Sequence, residues 1–290
     1  MEYTTFHKYM RSAHPDFALS RVKEDECDTC TRLTLISHDM SISKEARELA
    51  KAGLLEHNDE ARTMRLAMKT AISEYGFKAM SKHADQGILD EFYNSVNRLP
   101  DDVDGKWPEA PVESIVTGAR PLVRLQCEDF AGNLQLPWFG LHRPATDYYS
   151  SDLSIYMFVI SHMTTGINHV YLYDERIMGK NCDALCSLRF LYHMRLYVEA
   201  RKDNKIMSQP NTLYLIMDNC VGQNKSQGVF MFMALLSLTF YKKVVLHFLV
   251  SGHSHMCPDR VVSHAKRSIG VANIFEPSGL VDKINTVREN

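Results

Sequence analysis

Three aspartates mark the ends of regular patterns in the C-terminal half of the chain. Asp129 closes the apolar run PLVRLQCEDF, Asp218 closes TLYLIMD, and Asp259 opens a helical pattern after HMCP. Carboxylates gathered at one point repel each other and demand a cation, and an all-oxygen ligand set favours Mg²⁺ or Mn²⁺. Two such ions ~3.5–4 Å apart activate a water or a 3′-hydroxyl and stabilise the leaving oxygen of a phosphodiester. Spacing alone leaves a plainer reading open. In it Asp129 and Asp218 belong to strand-end loops and Asp259 is a helix N-cap, where Asp is favoured for its own reasons.

Other residue types suit ligands of a different kind. Cys27-x-x-Cys30 is half a zinc site, a redox pair or chance. It precedes a helical pattern rather than following a strand, which argues against a thioredoxin-like unit. Zinc needs two more ligands; His38 and His57 are the nearest histidines and His83 lies further along. His253, His255 and Cys257 form H-x-H-x-C, a set that suits zinc or a polar turn that positions Asp259. In VGQNK, Gly222 lets a backbone approach a phosphate closely, and Gln223, Asn224 and Lys225 are candidates for contact with a nucleic-acid backbone. The same segment reads as a strand-to-helix turn with Asn224 as N-cap. Arg260, Lys266, Arg267, Lys242 and Lys243 would neutralise phosphates nearby, with a solvated surface the plainer reading for the last two.

The elements that must position these residues fall into two parts. Ser43 to Lys82 repeats apolar residues at three- and four-residue spacings, a helix pattern with Gly53 as a candidate break. Its charges are balanced, as in a solvated or dimerising helix rather than one that reads DNA. Residues 97–120, rich in proline and acid, read as a linker between a helical region over 1–96 and a second domain over 121–290. That domain reads β-β-β-α-β-α-β-α: three strands joined by hairpins, then crossovers, hence an α/β domain with a mixed sheet and helices on both faces. This is the element order of the ribonuclease-H-like fold. In that fold the first and fourth strands are neighbours, so Asp129 and Asp218 would meet, and the last helix would deliver Asp259 to them.

Composition sets bounds. The 290 residues carry a formal charge of −2, with 45% hydrophobic and 23% charged residues, which excludes long disorder and collagen-like architectures and argues against a uniformly basic nucleic-acid coat. The longest apolar stretch, Gly228 to Phe240, is too short for a membrane span, and the first twenty residues show no secretory h-region. Seven scattered cysteines read as reduced thiols in cytoplasm or nucleus.

The words DNCVGQNKS, then VVLHFLVSGHSHM and PDRVVSHAKRSI, resemble a transposon-associated family with a DNC-GQNKN-like motif followed by GH-[ST]-H/F…DR. Its members look like ribonuclease-H-fold transposases or integrases of the DDE/DDD class, or domesticated relatives. LQCEDFAGNLQLPWFG, YLYDERIMGKNCDALCSLRFL and DECDTCTRL with LLEHNDEAR extend the resemblance to residues 20–285. It implies Asp129, Asp218 and Asp259 as catalytic and metal-binding residues, Mg²⁺ or Mn²⁺ as cofactor, and DNA as partner. Asp183, on the helix where ribonucleases H place a fourth acid, and Glu175, at the end of the third strand, are secondary candidates. The resemblance also picks His57 as the partner of Cys27 and Cys30 at a zinc site. The chain departs from the family in GQNKS and in VVSHAKR, and it starts almost at the C-x-x-C, so a fragment or an inactive remnant is also expected. The function expected is DNA cleavage or strand transfer, with a non-catalytic nucleic-acid- or protein-binding module as the alternative. G-H-x-H also resembles calcineurin-like metallophosphoesterases, but their D-x-H, G-D-x-x-D and G-N-H-[DE] words are missing from the sequence.

Overall fold

The computed structural model describes residues 27–76, 123–202 and 210–286. The linker expected over 97–120 and the part of the helix pattern beyond residue 76 lie outside them. The chain divides into two compact units, residues 1–57 and 58–290.

In the first unit, α1 (Asp28–His38) is joined to α2 (Lys44–Tyr75) by a short turn. Asp39 Oδ1 accepts from the Ser41 amide at 2.8 Å and from its hydroxyl at 2.6 Å, an Asx-type turn that competes with helix and so stops α1. Ser43 Oγ accepts from the Ala46 amide at 3.2 Å and satisfies one orphan donor at the start of α2. Gly53 does not break this helix. A Cβ there would lie 3.6 Å from Leu33 of α1, so the glycine sits where the two helices pack. From Asn58 onward α2 belongs to the second unit, and its Met64 and Ala71 are buried with Leu125, Cys127, Ile216, Leu249 and Met256.

The second unit is built on one mixed sheet. Its strands are β1 (Val123–Phe130), β2 (Leu134–Leu136), β3 (Leu153–His162), β4 (Ile167–Asp174), β5 (Thr212–Met217) and β6 (Lys243–Phe248). β3 runs antiparallel to β1, to β2 and to β4, whereas β5 is parallel to β1 and β6 to β5. The β3–β4 hairpin turns at Gly166, whose φ of 77° is one that glycine adopts without steric cost. The crossovers are α3 (Cys182–Lys202) and α4 (Gln227–Thr239), and the chain continues through α5 (Cys257–Ile269) and α6 (Pro277–Asn285). The architecture is thus mixed α/β with a mixed sheet and an N-terminal helical segment.

Alternation along the strands decides which helix meets which face. Cys127 and Ile216 pack with α2 and Met256, and Ile155, Met157 and Val159 pack with Ala265 and Ile269 of α5 and Leu280 of α6. On the opposite face Phe158 and Ile160 lie under α3, and Leu213, Leu215 and Met217 under α4. Four details differ from the pattern read in the sequence. β2 is an added three-residue strand, and α6 an added helix. α4 begins at Gln227 with Ser226 as its cap, accepting from the Val229 amide, rather than at Asn224. α5 begins at Cys257, two residues before Asp259.

Candidate functional site

The parallel register pairs Glu128 of β1 with Met217 of β5, so Asp129 and Asp218 come next at the same C-terminal edge. Alternation puts Asp129 on the face of Cys127 and Asp218 on the face of Ile216, which is the face that α5 covers. α5 carries Asp259 in its first turn, where Oδ2 accepts from the Met256 amide at 2.6 Å. Two of the three charges act on the third. Burial, then the neighbouring Asp259 and Asp218 carboxylates, push the Asp129 carboxyl up from 3.8 to about 7, against the pull of the Phe130 amide and Lys180. Burial and two acidic neighbours both disfavour the charged form of a carboxyl, and a cation bound beside it would favour that form.

Basic groups border this cluster. Lys180, in the loop before α3, donates to the Ala131 carbonyl at 2.7 Å and lies 5.1 Å from the centre of the Phe130 ring. Burial lowers its pKa, and Asp129 opposes that shift. Lys266 of α5 points toward the loop after β1, its Nζ 3.8 Å from where a Gly132 Cβ would sit. Arg260 is exposed beside Asp259. Lys180 was not singled out from the sequence; the only local signal was a lysine just before an expected helix.

On the other face of β1, Glu128 and Arg189 of α3 form a fully buried ion pair. Arg189 also donates to Asn224 Oδ1 at 2.9 Å, and Asn224 Nδ2 donates to the Asp218 carbonyl at 3.1 Å. Asn224 is buried, so its amide anchors the turn after β5 instead of facing solvent. Gln223 reaches the Lys180 carbonyl at 3.4 Å, and the Lys225 ammonium stands 4.9 Å from the Phe248 ring centre. Among the described residues nothing lies within 4 Å of where a Gly222 Cβ would be.

The remaining acidic candidates have other neighbours. Asp183 is exposed in the first turn of α3, with the Cys182 thiol 3.7 Å from Oδ1. Glu175 holds the Ser154 amide at 3.2 Å across the β3–β4 pair. In the H-x-H-x-C turn, Nδ1 of His253 pairs with Arg65 at 3.0 Å. His255 and Cys257 line a pocket of about 360 Å³, together with Cys127, Met163, Met256 and Asp259.

The first unit holds a separate ligand set. Cys27 caps α1 and Cys30 lies one turn on, so both thiols share one side of the helix. Ligand atoms of Cys27, Cys30 and His57 all lie within 4.8 Å of one another, and Cys27 Sγ is 3.1 Å from His57 Nε2. Burial, and the Cys27 thiol beside it, raise the Cys30 pKa. Two sulfurs and an imidazole are the donor set of a thiophilic divalent cation such as zinc.

Fold and sites together define a mixed α/β protein with an acidic cluster at a sheet edge and a Cys/His group that can hold a metal ion. A family described as "Domain of unknown function (DUF7869)" matches residues 157–290, a span that includes Asp218 and Asp259 but not Asp129. No curated protein and no solved structure matches the chain. No helix among the described residues is long and apolar enough to cross a membrane.

Proposed function

We propose that the second unit is a ribonuclease-H-like catalytic domain that cuts or joins DNA phosphodiesters with Mg²⁺ or Mn²⁺, as a transposase or integrase of nucleus or cytoplasm does. The observation that carries this reading is geometric: the parallel register brings Asp129 and Asp218 to one C-terminal sheet edge and the first turn of α5 carries Asp259 to it, near enough for both neighbours to raise the Asp129 pKa. Support comes from the order β4-β3-β1-β5-β6 across the sheet, with β3 running against its neighbours. The C-terminal edge of parallel strands is also where open α/β sheets take ligands.

The donor set fits the cation: Asp129, Asp218 and Asp259 offer only carboxylate oxygens, which suit hard divalent ions. Bound there, Mg²⁺ or Mn²⁺ supplies Lewis-acid activation and neutralises charge at a phosphodiester. The other residues prepare the place. Asn224 fixes the Asp218 backbone from which the carboxylate projects. Lys180, Lys266 and Arg260 offer positive charge to phosphates beside the acids. Gly222, with no described residue within 4 Å of its Cβ position, leaves the backbone at the start of the GQNK turn open to close approach. Purified protein with Mn²⁺ should nick supercoiled plasmid DNA, and Asp218→Asn and Asp259→Asn should each abolish nicking. No nicking by the wild type, or nicking that survives both substitutions, rejects the reading.

One observation favours a second reading. The Lys180 ammonium already offsets part of the charge on Asp129, so the cluster persists in a domesticated, non-catalytic nucleic-acid-binding module without a metal ion. That module would shift DNA in a gel without ever nicking it. For the first unit we propose zinc on Cys27, Cys30 and His57, with a fourth ligand from another histidine. Metal analysis should find zinc in equimolar amount, lost on Cys27→Ser. His38→Ala tests for the fourth ligand, and zinc-free wild-type protein defeats the assignment.

A further inference from the structure

Along Gln227–Thr239, α4 has no charged residue, and it buries Val229, Met233 and Leu236. Its outer side is apolar too. Met231, Leu235 and Leu238 follow one another at helical spacing and are 67%, 45% and 85% exposed, with Phe230 47% exposed beside them. α3 extends the stripe. At one end of the two helices a Gly228 Cβ would lie 3.9 Å from Cys182 Sγ. At the other end His193 stacks on Phe240 with ring centres 6.3 Å apart. Phe190, 42% exposed, and Leu235 fall between those two contacts.

An apolar face of this extent stands at the top of the range that folded monomers leave exposed, where such patches are often functional. Large apolar side chains each present roughly 200 Å², so the five named residues leave about 550–600 Å² uncovered. Complete mutual burial of two such faces would remove roughly 1,100–1,200 Å² from water, against the ~1,000 Å² that a specific interface needs. A two-fold pair brings the same residues of both copies together. On α4 that meeting buries no charge, since the helix carries none. We infer that this face pairs with the same face of a second copy of the chain, giving a two-fold dimer centred on α4. Burial of the stripe supplies the affinity, and the pairing is independent of any metal or nucleic acid.

Analytical ultracentrifugation of the full chain, from low to high micromolar concentration, tests this directly. The wild type should sediment as a dimer that dissociates on dilution. Leu238→Glu and Met231→Glu change exposed side chains, so both should keep the wild-type circular dichroism and sediment as monomers. Leu238→Gln, which adds no charge, should weaken the dimer at least tenfold. A wild type that stays monomeric at the highest concentration overturns the inference and leaves the face to a different partner. A dimer that survives in the folded variants overturns it equally.

Discussion

Asp129 is the residue at which stability and the proposed activity pull in opposite directions. Its folded-state carboxyl titrates near 7, against about 3.9 in an unfolded chain. The folded state therefore holds the proton more tightly. The stabilisation that this gives is complete below the unfolded value and is lost as pH rises from about 4 to 7. A three-unit shift corresponds to about 4 kcal/mol as an order of magnitude. Asp129→Asn removes the charge while keeping the shape. In protein freed of Mg²⁺ and Mn²⁺, the variant should unfold at a higher temperature than the wild type at pH 8, with the difference shrinking toward pH 5. Thermal unfolding at the two pH values checks this, and a variant less stable than the wild type at pH 8 would mean that the site carries no net repulsion.

At the scale of elements, β1 carries two functions on its two faces. Asp129 points toward the side covered by α5, and Glu128 toward Arg189 of α3. Removing one partner of a buried pair strands the other, at a cost of about 3–5 kcal/mol. Arg189→Met should therefore lose roughly that much in urea unfolding, and Glu128→Gln in the same chain should restore part of it. A loss below about 1 kcal/mol would show Glu128 relaxing to solvent. The strand-end acids were legible because apolar strands stop abruptly at them, and the strands concerned, β1 and β5, lie side by side. The Glu128–Arg189–Asn224 relay was not legible. It joins three elements far apart in the chain, and a buried charge looks the same in sequence as a solvated one. β2 escaped because three residues are too few for alternation to register. Asn224 was legible as a turn residue, but its cap role passed to Ser226, whose hydroxyl reaches the Val229 amide.

At the scale of the whole molecule, each unit has its own candidate cation and its own test. In the first unit the Cys27, Cys30 and His57 ligands come from two short-range neighbours on α1 and one residue of α2, so a bound zinc ion would tie those helices together. Chelation with a zinc-selective reagent should lower helical circular dichroism, and added zinc should restore it; a spectrum unmoved by chelation would mean that the helices pack without metal. In the second unit the central claim rests on three carboxylates that together hold divalent metal. The most direct measurement is calorimetric titration of Mn²⁺ into the whole chain and into Asp218→Asn. That substitution leaves intact the backbone carbonyl that holds Asn224, so the fold should be kept, as thermal unfolding can verify. The wild type should bind Mn²⁺, and Asp218→Asn should bind it at least tenfold more weakly; equal affinity in the two folded proteins would contradict the account.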